Sequence, residues 1–369
     1  FGRRHRSPHL APMSAHPSIK APFEDVGWAV KGSAEEEDEA AAAAMAKALD
    51  RAHKLRASSG RASSSEGGHS QGCASSTGEG GLETVVLRHE SGATAEVYLF
   101  GATLCSYKSP DGVEHIFVSP GAIFNGAKAI RGGVPVVFPQ FGQPDTAMPQ
   151  HGIARTSTWA VKEIRDSAEE ACLTLTLSDS AATRDKWDYA FGLEFAVSLT
   201  AVSLTMTLRV ANPGPAPFDF HALLHTYFRV PDIGTTVVRG LRGRTYIDKV
   251  ADGVSRVEAA AEIHLPSFTD RVYLGEAGGA AKPALPSKDV VVGSMGGAAV
   301  YAATNVATID GDPVPCDVVV WNPYEEASPG DLPPPAFKQF VCVEPGLVGK
   351  LHTLRPGSVA ALSQKIFPM

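Results

Sequence analysis

The sequence lacks the features that mark several large classes of protein. No stretch approaches the ~18 consecutive apolar residues that a membrane helix requires, and the 44% apolar content is that of a soluble globular protein. Basic residues are not in excess, since the formal net charge is −7, which argues against a nucleic-acid surface. The first 82 residues balance their charges, so the acidic surplus lies in the remainder. An anionic ligand would therefore need local cations, because the overall field repels it.

Cysteine is scarce and carries no metal-binding pattern. The five cysteines are odd in number and widely scattered, without a Cys-x-x-Cys pair or a Cys/His spacing typical of zinc. Cys105, Cys172 and Cys342 lie in apolar, strand-like runs, where a free cysteine behaves as a small buried hydrophobe. The glycine-rich segments match neither a phosphate-binding loop nor a dinucleotide fingerprint, and no Gly-x-Ser-x-Gly elbow is present. The sequence predicts a reducing compartment, no metal and no cofactor.

The first 81 residues differ from the rest and predict a low-complexity, mostly disordered tail. Residues 33–56 combine a capping box with an alanine-rich centre, which predicts one marginal, solvent-exposed helix. Residues 57–81 are rich in Ser and Gly and predict a flexible linker. The Arg- and Ser-bearing start has a faint transit-peptide character, so a plastid or another organelle is the alternative to a cytoplasmic location.

From Leu82 the apolar residues alternate with a period of two, and helical periodicity is nearly absent. Turn residues recur every ten to fifteen positions, a pattern typical of a large antiparallel β-sandwich. Residues 82–369 show no compositional division, so one all-β domain is predicted. The predicted strands are 96–100, 159–164, 172–177, 193–199 and 204–210, the last two forming a hairpin.

The most unusual stretch is Ile130–Arg155, in which glycines and prolines surround polar side chains. Strands are depleted in both residues, so the pattern indicates backbone shaped to hold cationic and amide groups together. Arg131 and Arg155 offer donor forks suited to phosphate or vicinal hydroxyls. Two surface arginines beside turns would give the same pattern, and the residues alone do not separate these readings.

Two further segments carry possible acid/base groups. His225 lies in a run from Phe218 to Val230 that predicts one strand, with His221, Leu223, His225 and Tyr227 on one face. These histidines fit a core role, a metal site or catalysis. Glu344 follows apolar residues at the end of a strand that Pro345 is predicted to terminate. It would be a general base if buried, or a solvent-facing residue otherwise. Asp270 is either a turn residue or an acceptor for sugar hydroxyls.

Several of these segments together resemble the aldose 1-epimerase superfamily, and within it the hexose-6-phosphate mutarotase branch. The carrying segments, which lie in order over most of residues 85–369, are FVSPGAIFNGAKAIRGGVPVVFPQFG (117–142), QHGIARTSTW (150–159), LLHTYFRVPDI (223–233), GLRGRTYIDK (240–249), VVWNPY (319–324) and CVEPG (342–346). Ile153, where such motifs often have Phe, and a Gly/Ala-rich insertion near 275–300 depart from the family pattern.

The resemblance implies a catalytic pair and a set of substrate contacts. Glu344 would act as general base on the anomeric hydroxyl, and His225 as general acid on the ring oxygen. Arg131, Gln150, Arg155 and Asp270 would contact the substrate, with the two arginines gripping its phosphate. The implied activity is interconversion of the α and β anomers of a hexose 6-phosphate by a monomer whose partner is a small sugar phosphate, not a membrane or a nucleic acid. A free-aldose epimerase and a non-catalytic sugar-phosphate-binding protein remain the alternatives.

Overall fold

The structure, a computed structural model, describes residues 72–275, 290–295 and 299–369. The predicted marginal helix, most of the predicted tail and much of the Gly/Ala-rich segment lie outside these residues. Within them the chain is almost entirely β-structure, as predicted, and the only α-helix there is one turn, Ala181–Arg184. Short 3₁₀ turns occur at Glu79–Gly81, Ala154–Thr156, Ile233–Thr235 and Ala336–Gln339. None of the described helices is long and apolar enough to cross a membrane.

The strands run in chain order as β1 (Gly72–Thr77), β2 (Glu83–Arg88), β3 (Thr94–Tyr98), β4 (Thr103–Lys108), β5 (Val136–Val137), β6 (Ala160–Asp166), β7 (Ala171–Ser178), β8 (Gly192–Leu199), β9 (Leu204–Ala211), β10 (Phe218–Leu224), β11 (Tyr227–Arg229), β12 (Thr236–Arg239), β13 (Thr245–Asp248), β14 (Val254–Val257), β15 (Glu262–His264), β16 (Thr269–Tyr273), β17 (Val290–Ser294), β18 (Ala299–Ile309), β19 (Asp312–Val314), β20 (Asp317–Asn322), β21 (Phe340–Leu354) and β22 (Val359–Pro368).

These strands form three antiparallel sheets in the described part of the chain. A four-stranded sheet has the order β1-β2-β3-β4. An eight-stranded sheet has the order β14-β13-β16-β20-β21-β10-β5, with β11 also paired to β21. A ten-stranded sheet has the order β15-β12-β17-β18-β22-β9-β8-β7-β6, with β19 on β18. The two large sheets share one apolar core, so the predicted β-sandwich is confirmed.

The alternation of the sequence explains why β8 and β9 form a hairpin. Leu193, Phe195 and Val197 of β8 are buried, and their registered partners on β9, Val210, Leu208 and Met206, are buried too. Each cross-strand pair therefore delivers two apolar side chains to the same core face. The predicted bounds of these two strands differ from the observed ones by one residue at one end of each.

The described structure begins in a strand at Gly72 rather than near Leu82. Strand β1 pairs with β2 along its whole length, although it lies in the Ser/Gly-rich segment that predicts a linker. Its last four residues are exposed, so an edge strand on this surface needs no apolar alternation. Composition alone could not distinguish such a strand from a flexible segment.

Two strand predictions around the candidate acid and base are wrong. The run from Phe218 to Val230 is not one strand, because it breaks at His225 and Thr226 between β10 and β11. Pro345 does not end its strand either, since β21 continues to Leu354. The amide of Val343 donates to the carbonyl of Thr226 at that break, and alternation aims the nitrogen of Pro345 the same way. A proline has no N–H to donate, but at the break no strand carbonyl depends on one. The sheet therefore tolerates Pro345.

The eight-stranded sheet has one face on the core and another that carries a separate apolar cluster. Phe220, Ala222 and Leu224 of β10 pack into the main core. Leu223, between them, packs instead with the cluster Val137, Val272, Val319 and Val348, joined at its margin by Phe141, Ile247, Leu274 and Trp321. This second face is the one that bears the candidate acid and base.

Candidate active site

The register of the eight-stranded sheet gathers distant residues into one row. Asp270 of β16 pairs with Trp321 of β20, Trp321 pairs with Cys342 of β21, and Cys342 pairs with Tyr227 of β11. Glu344 lies two residues along β21 from this row, and His225 precedes Tyr227 by two residues at the strand break. Side chains two residues apart on a strand share a face, so all these groups converge on one patch.

His225 and Glu344 are in contact, although 118 positions separate them in the sequence. Nδ1 of His225 lies 3.3 Å from Oε1 of Glu344, and the two side chains are 9% and 1% exposed. Neither carboxylate oxygen of Glu344, nor Nδ1 of His225, has a hydrogen-bond partner among the described residues. The solvent-facing alternative for Glu344 is therefore excluded. Buried polar atoms without partners are rare in folded proteins, so these atoms are available to a ligand.

Burial sets the ionisation of the pair. It raises the pKa of Glu344 well above 4.5, and the charge of Asp270 adds to this while Lys249 opposes it. Burial also lowers the pKa of His225 well below 6.5, reinforced by the positive charges of Arg155 and Arg131. Both shifts favour the neutral forms of the two groups. Together they hold one proton, the number that an acid/base pair needs.

Aromatic rings fix the imidazole of His225 from several sides. The ring of Tyr227 stacks on it at a centroid distance of 4.8 Å. Trp321 and His151 meet it edge-on, at 5.8 Å and 5.7 Å. Burial, followed by the charge of Arg155, lowers the pKa of His151 as well. A neutral His151 adds a second potential proton carrier or hydrogen-bonding group beside His225.

Arg131 is anchored by a buried carboxylate. Its Nε donates to Oδ1 of Asp331 at 2.8 Å, and Lys128 contacts the other oxygen at 2.8 Å. Burial opposes ionisation of Asp331, but Lys128 and Arg131 outweigh it and lower its pKa. Nη1 of Arg131 reaches the hydroxyl of Tyr227 at 3.5 Å. Since a guanidinium has five N–H donors, this arrangement orients the fork and leaves donors for an anion.

Arg155 and Gln150 lie on the adjoining loop. Nη2 of Arg155 donates to the backbone carbonyl of Gln150 at 2.7 Å, whereas its buried Nε has no partner among the described residues. The side chain of Gln150 is exposed. Burial lowers the pKa of Arg155 to about 10, and the nearby charge of Arg131 contributes to the lowering. The positive charges of the two arginines thus oppose each other, and an anionic ligand bound by both would relieve that repulsion.

Asp270 forms the opposite side of the patch with Lys249. Their charged atoms lie 3.3 Å apart, and the ammonium group of Lys249 sits 4.7 Å from the centroid of the Phe141 ring. Burial raises the pKa of Asp270, while Lys249 opposes the shift. Asp270 is therefore a partly buried acceptor near Glu344, a suitable partner for a sugar hydroxyl.

The structure thus brings His225, Glu344, Arg131, Arg155 and Asp270 into one site, with Gln150 at its edge through its backbone. Sequence reasoning did not select His151, Lys249, Asp331 and Trp321 as site residues. His151, Lys249 and Trp321 lie inside the motifs quoted above. Their position in these motifs, close to predicted site residues, was the signal that could have identified them. Asp331 lies in the loop between β20 and β21, in none of these motifs, and only the fold reveals it.

Among the residues that the structure describes, one group of side chains has a spacing that could hold a metal ion. The ligand atoms of His225, Cys342 and Glu344 lie within 4.8 Å of one another. Burial, followed by the charge of Glu344, raises the pKa of the Cys342 thiol well above 9.0, and metal binding would require its deprotonation. The positive charges that lower the pKa of His225 would also repel a divalent cation. This electrostatic environment suits proton transfer to an anionic ligand better than metal binding.

Comparisons with known proteins identify the family. The family model described as aldose 1-epimerase matches residues 83–366. A Cenchrus ciliaris protein provisionally named glucose-6-phosphate 1-epimerase is 34% identical over 75% of this chain and 82% of its own length. An Escherichia coli protein with the same provisional name is 32% identical over 77% of this chain and 90% of its own length.

Solved structures show the same fold. A provisionally assigned mutarotase from Salmonella typhimurium superposes with a TM-score of 0.68 and 29% identity, covering 80% of this chain and 92% of the other. A galactose 1-epimerase from Lactobacillus acidophilus gives a TM-score of 0.58 at 15% identity over 81% of this chain and 99% of the other, which supports the fold alone. By its sequence match over residues 83–366, this chain belongs to the aldose 1-epimerase family.

Proposed function

We propose that this protein interconverts the α and β anomers of a hexose 6-phosphate, with glucose 6-phosphate as the first candidate. One observation carries the proposal: a buried acid/base pair, His225 and Glu344, has unpartnered polar atoms and feels the charges of two neighbouring arginines. The names of the curated relatives point to the same substrate.

The chemistry requires one proton to be taken and one to be given. Glu344, as carboxylate, removes the proton of the anomeric hydroxyl, and protonated His225 donates its proton to the ring oxygen. The bond from C1 to the ring oxygen breaks as the C1 carbonyl forms. Rotation about the bond from C1 to C2 turns the aldehyde, and closure with reversed proton transfers gives the other anomer. Each positioned acid or base contributes roughly 10²–10⁴-fold.

The phosphate of the substrate would help to ionise this pair. Burial, followed by the positive charges of Arg155 and Arg131, lowers the pKa of His225. A phosphate bound by these arginines would cancel much of their field and so remove their part of the lowering, while burial continues to hold the pKa of His225 below its ordinary value. The fraction of the pair in which His225 carries the proton and Glu344 is ionised would then increase, and this is the reactive form. Phosphate binding would thus raise turnover as well as affinity.

The other proposed contacts orient the sugar. Asp270 would accept a hydrogen bond from a ring hydroxyl, and the Trp321 ring would pack against the apolar face of the sugar. Gln150 would contact the substrate at the exposed edge, where its backbone carbonyl already positions Arg155.

The decisive experiment compares substrates on the purified protein. Exchange between the anomers of glucose 6-phosphate and of glucose is measured by magnetisation-transfer NMR, against buffer alone. The proposal predicts acceleration with glucose 6-phosphate, little with glucose, and a selective loss with the phosphorylated sugar in Arg131→Ala. Equal acceleration of both sugars would instead indicate a free-aldose epimerase. Binding without acceleration would indicate a non-catalytic protein, and either result contradicts the proposal.

A further inference from the structure

We infer that Gln364 of β22, which lies in the opposite sheet, is a positioning residue. It holds His225 and Glu344 at the distance from each other that proton transfer requires. The inference rests on the proposed function. The acid and base make no side-chain hydrogen bond to each other or to any other described residue that would fix them. Their separation of 3.3 Å must therefore be set largely by the backbone that carries them and by packing.

That backbone is tied together directly beneath the pair. Thr226 follows His225, and Val343 precedes Glu344. The amide of Val343 donates to the carbonyl of Thr226 at 3.2 Å. This hydrogen bond bridges the break between β10 and β11, where ordinary strand pairing is interrupted. Together with the pairing of β10 and β11 to β21 on either side, it joins the segment bearing the acid to the strand bearing the base.

The side chain of Gln364 completes a ring of hydrogen bonds with Thr226 and Val343. Its Oε1 accepts from the hydroxyl of Thr226 at 2.5 Å, and its Nε2 donates to the carbonyl of Val343 at 3.3 Å. Both Gln364 and Thr226 are fully buried. One amide side chain from the ten-stranded sheet thus reaches across the sandwich core and contacts both neighbours of the catalytic pair.

Packing alone does not explain why an amide side chain is buried at this position. An amide in an apolar core is unfavourable unless it is hydrogen-bonded, and Leu or Met would fill similar space. Gln364 meets that condition through the two segments that bear His225 and Glu344. A displacement of about 1 Å at a reacting group can cost roughly 10²-fold in rate. We therefore expect the effect of Gln364 to fall on turnover and not on substrate affinity.

Asn305 provides a matched control in the same layer. It is the registered partner of Gln364 on the neighbouring strand β18, and it is also fully buried. Its side-chain amide has no hydrogen-bond partner among the described residues. Replacing it by Leu removes a buried amide at the same depth without breaking a tie to Thr226 or Val343.

The experiment measures kcat and KM for anomer exchange of glucose 6-phosphate in the full chain, alongside circular dichroism and thermal unfolding. Gln364→Leu and Thr226→Val should lower kcat about 10- to 10²-fold with KM changed by less than about threefold. Gln364→Glu should retain most of the rate, because a buried carboxyl stays protonated and can both accept from Thr226 and donate to Val343. Asn305→Leu should keep its kcat.

The outcomes separate this inference from the function on which it rests. A wild-type protein without activity defeats the proposed function. An active wild-type protein with unchanged kcat in a folded Gln364→Leu overturns the positioning role. So does an equal loss of kcat in Asn305→Leu, which would indicate a general effect of core stability. If Gln364→Leu does not fold, Thr226→Val decides: wild-type kcat in that variant overturns the inference.

Discussion

At the residue scale, the pKa shifts of His225 and Glu344 determine how activity should depend on pH. The pKa of His225 is lowered and that of Glu344 is raised, so between the two values the pair holds a single proton. The reactive form, with ionised Glu344 and protonated His225, holds the same number. Its fraction is therefore independent of pH across this window. Activity falls only when the pH drops below the lowered value or rises above the raised one.

We therefore predict that kcat/KM does not fall as the pH rises through the ordinary histidine value of 6.5. The measurement is the exchange rate from about pH 5.5 to pH 8 with the spontaneous rate subtracted at each point, because kcat/KM reports the free enzyme. A loss of activity with rising pH centred near 6.5 would show that His225 titrates as an ordinary imidazole, contrary to this account.

The anchoring of Arg131 by Asp331 leads to a second prediction about single residues. Asp331→Ala should raise KM for glucose 6-phosphate about tenfold, equivalent to ~1.4 kcal/mol, because the guanidinium loses its 2.8 Å contact. The rate with glucose should not change. Asp331→Asn is the matched control, since its amide oxygen can still accept from Nε. Steady-state kinetics check both variants, and an unchanged KM in Asp331→Ala would contradict the anchoring role.

At the scale of elements, the glycine after Arg131 shapes the segment that presents it. Gly132 has a φ of 105°, and a Cβ there would lie 2.5 Å from the carbonyl oxygen of Phe117. Gly142, in the same stretch, has a φ of 71° but nothing within 4 Å of such a Cβ. Conformation is strained in both cases for an L-residue, whereas a backbone clash arises only at Gly132.

Gly142→Ala should therefore lower the free energy of unfolding by ~1–2 kcal/mol, the cost of the left-handed conformation, and Gly132→Ala by clearly more. Gly132→Ala should also raise KM for the phosphorylated sugar, because Arg131 moves with its backbone. Denaturant unfolding and kinetics on the two variants test this. Equal stability losses would mean that the close approach to Phe117 does not constrain the segment.

The sequence predicted elements best where one face of a strand is polar. Strands β8 and β9 alternate cleanly, so their hairpin is visible in the pattern. The break at His225 is not visible, because Phe218–Val230 keeps its alternation across it and only the partner strand reveals the interruption. Pro345 misleads for the same reason: whether a proline ends a strand depends on what its nitrogen faces, which is a property of the neighbouring chain.

The site itself could be predicted only through resemblance. His225 and Glu344 meet because β11 pairs with β21 in one register, and no local pattern specifies that register. Pattern alone left both residues with ordinary structural explanations. Asp331 and Gln364 belong to other elements and reach the site through the fold, so their contributions could not be read from spacing in the sequence.

At the scale of the whole molecule, the proposed site residues lie between 131 and 344, and the family match begins at residue 83. A chain that begins at Gly72 should therefore keep its activity, with a free energy of unfolding within about 0.5 kcal/mol of the full chain. A chain that begins at Glu83 lacks β1, which exposes the edge of β2, and should be less stable. Loss of activity in the chain that begins at Gly72 would show that the predicted tail takes part in function.

The proposed reaction requires His225 and Glu344 to act together as acid and base. The direct measurement is anomer exchange of glucose 6-phosphate by magnetisation-transfer NMR in the wild-type protein, His225→Ala and Glu344→Gln, with folding checked by circular dichroism. We predict rapid exchange in the wild-type protein and a loss of roughly 10²–10⁴-fold in each variant. A folded variant of either kind that retains the wild-type rate would contradict the central claim.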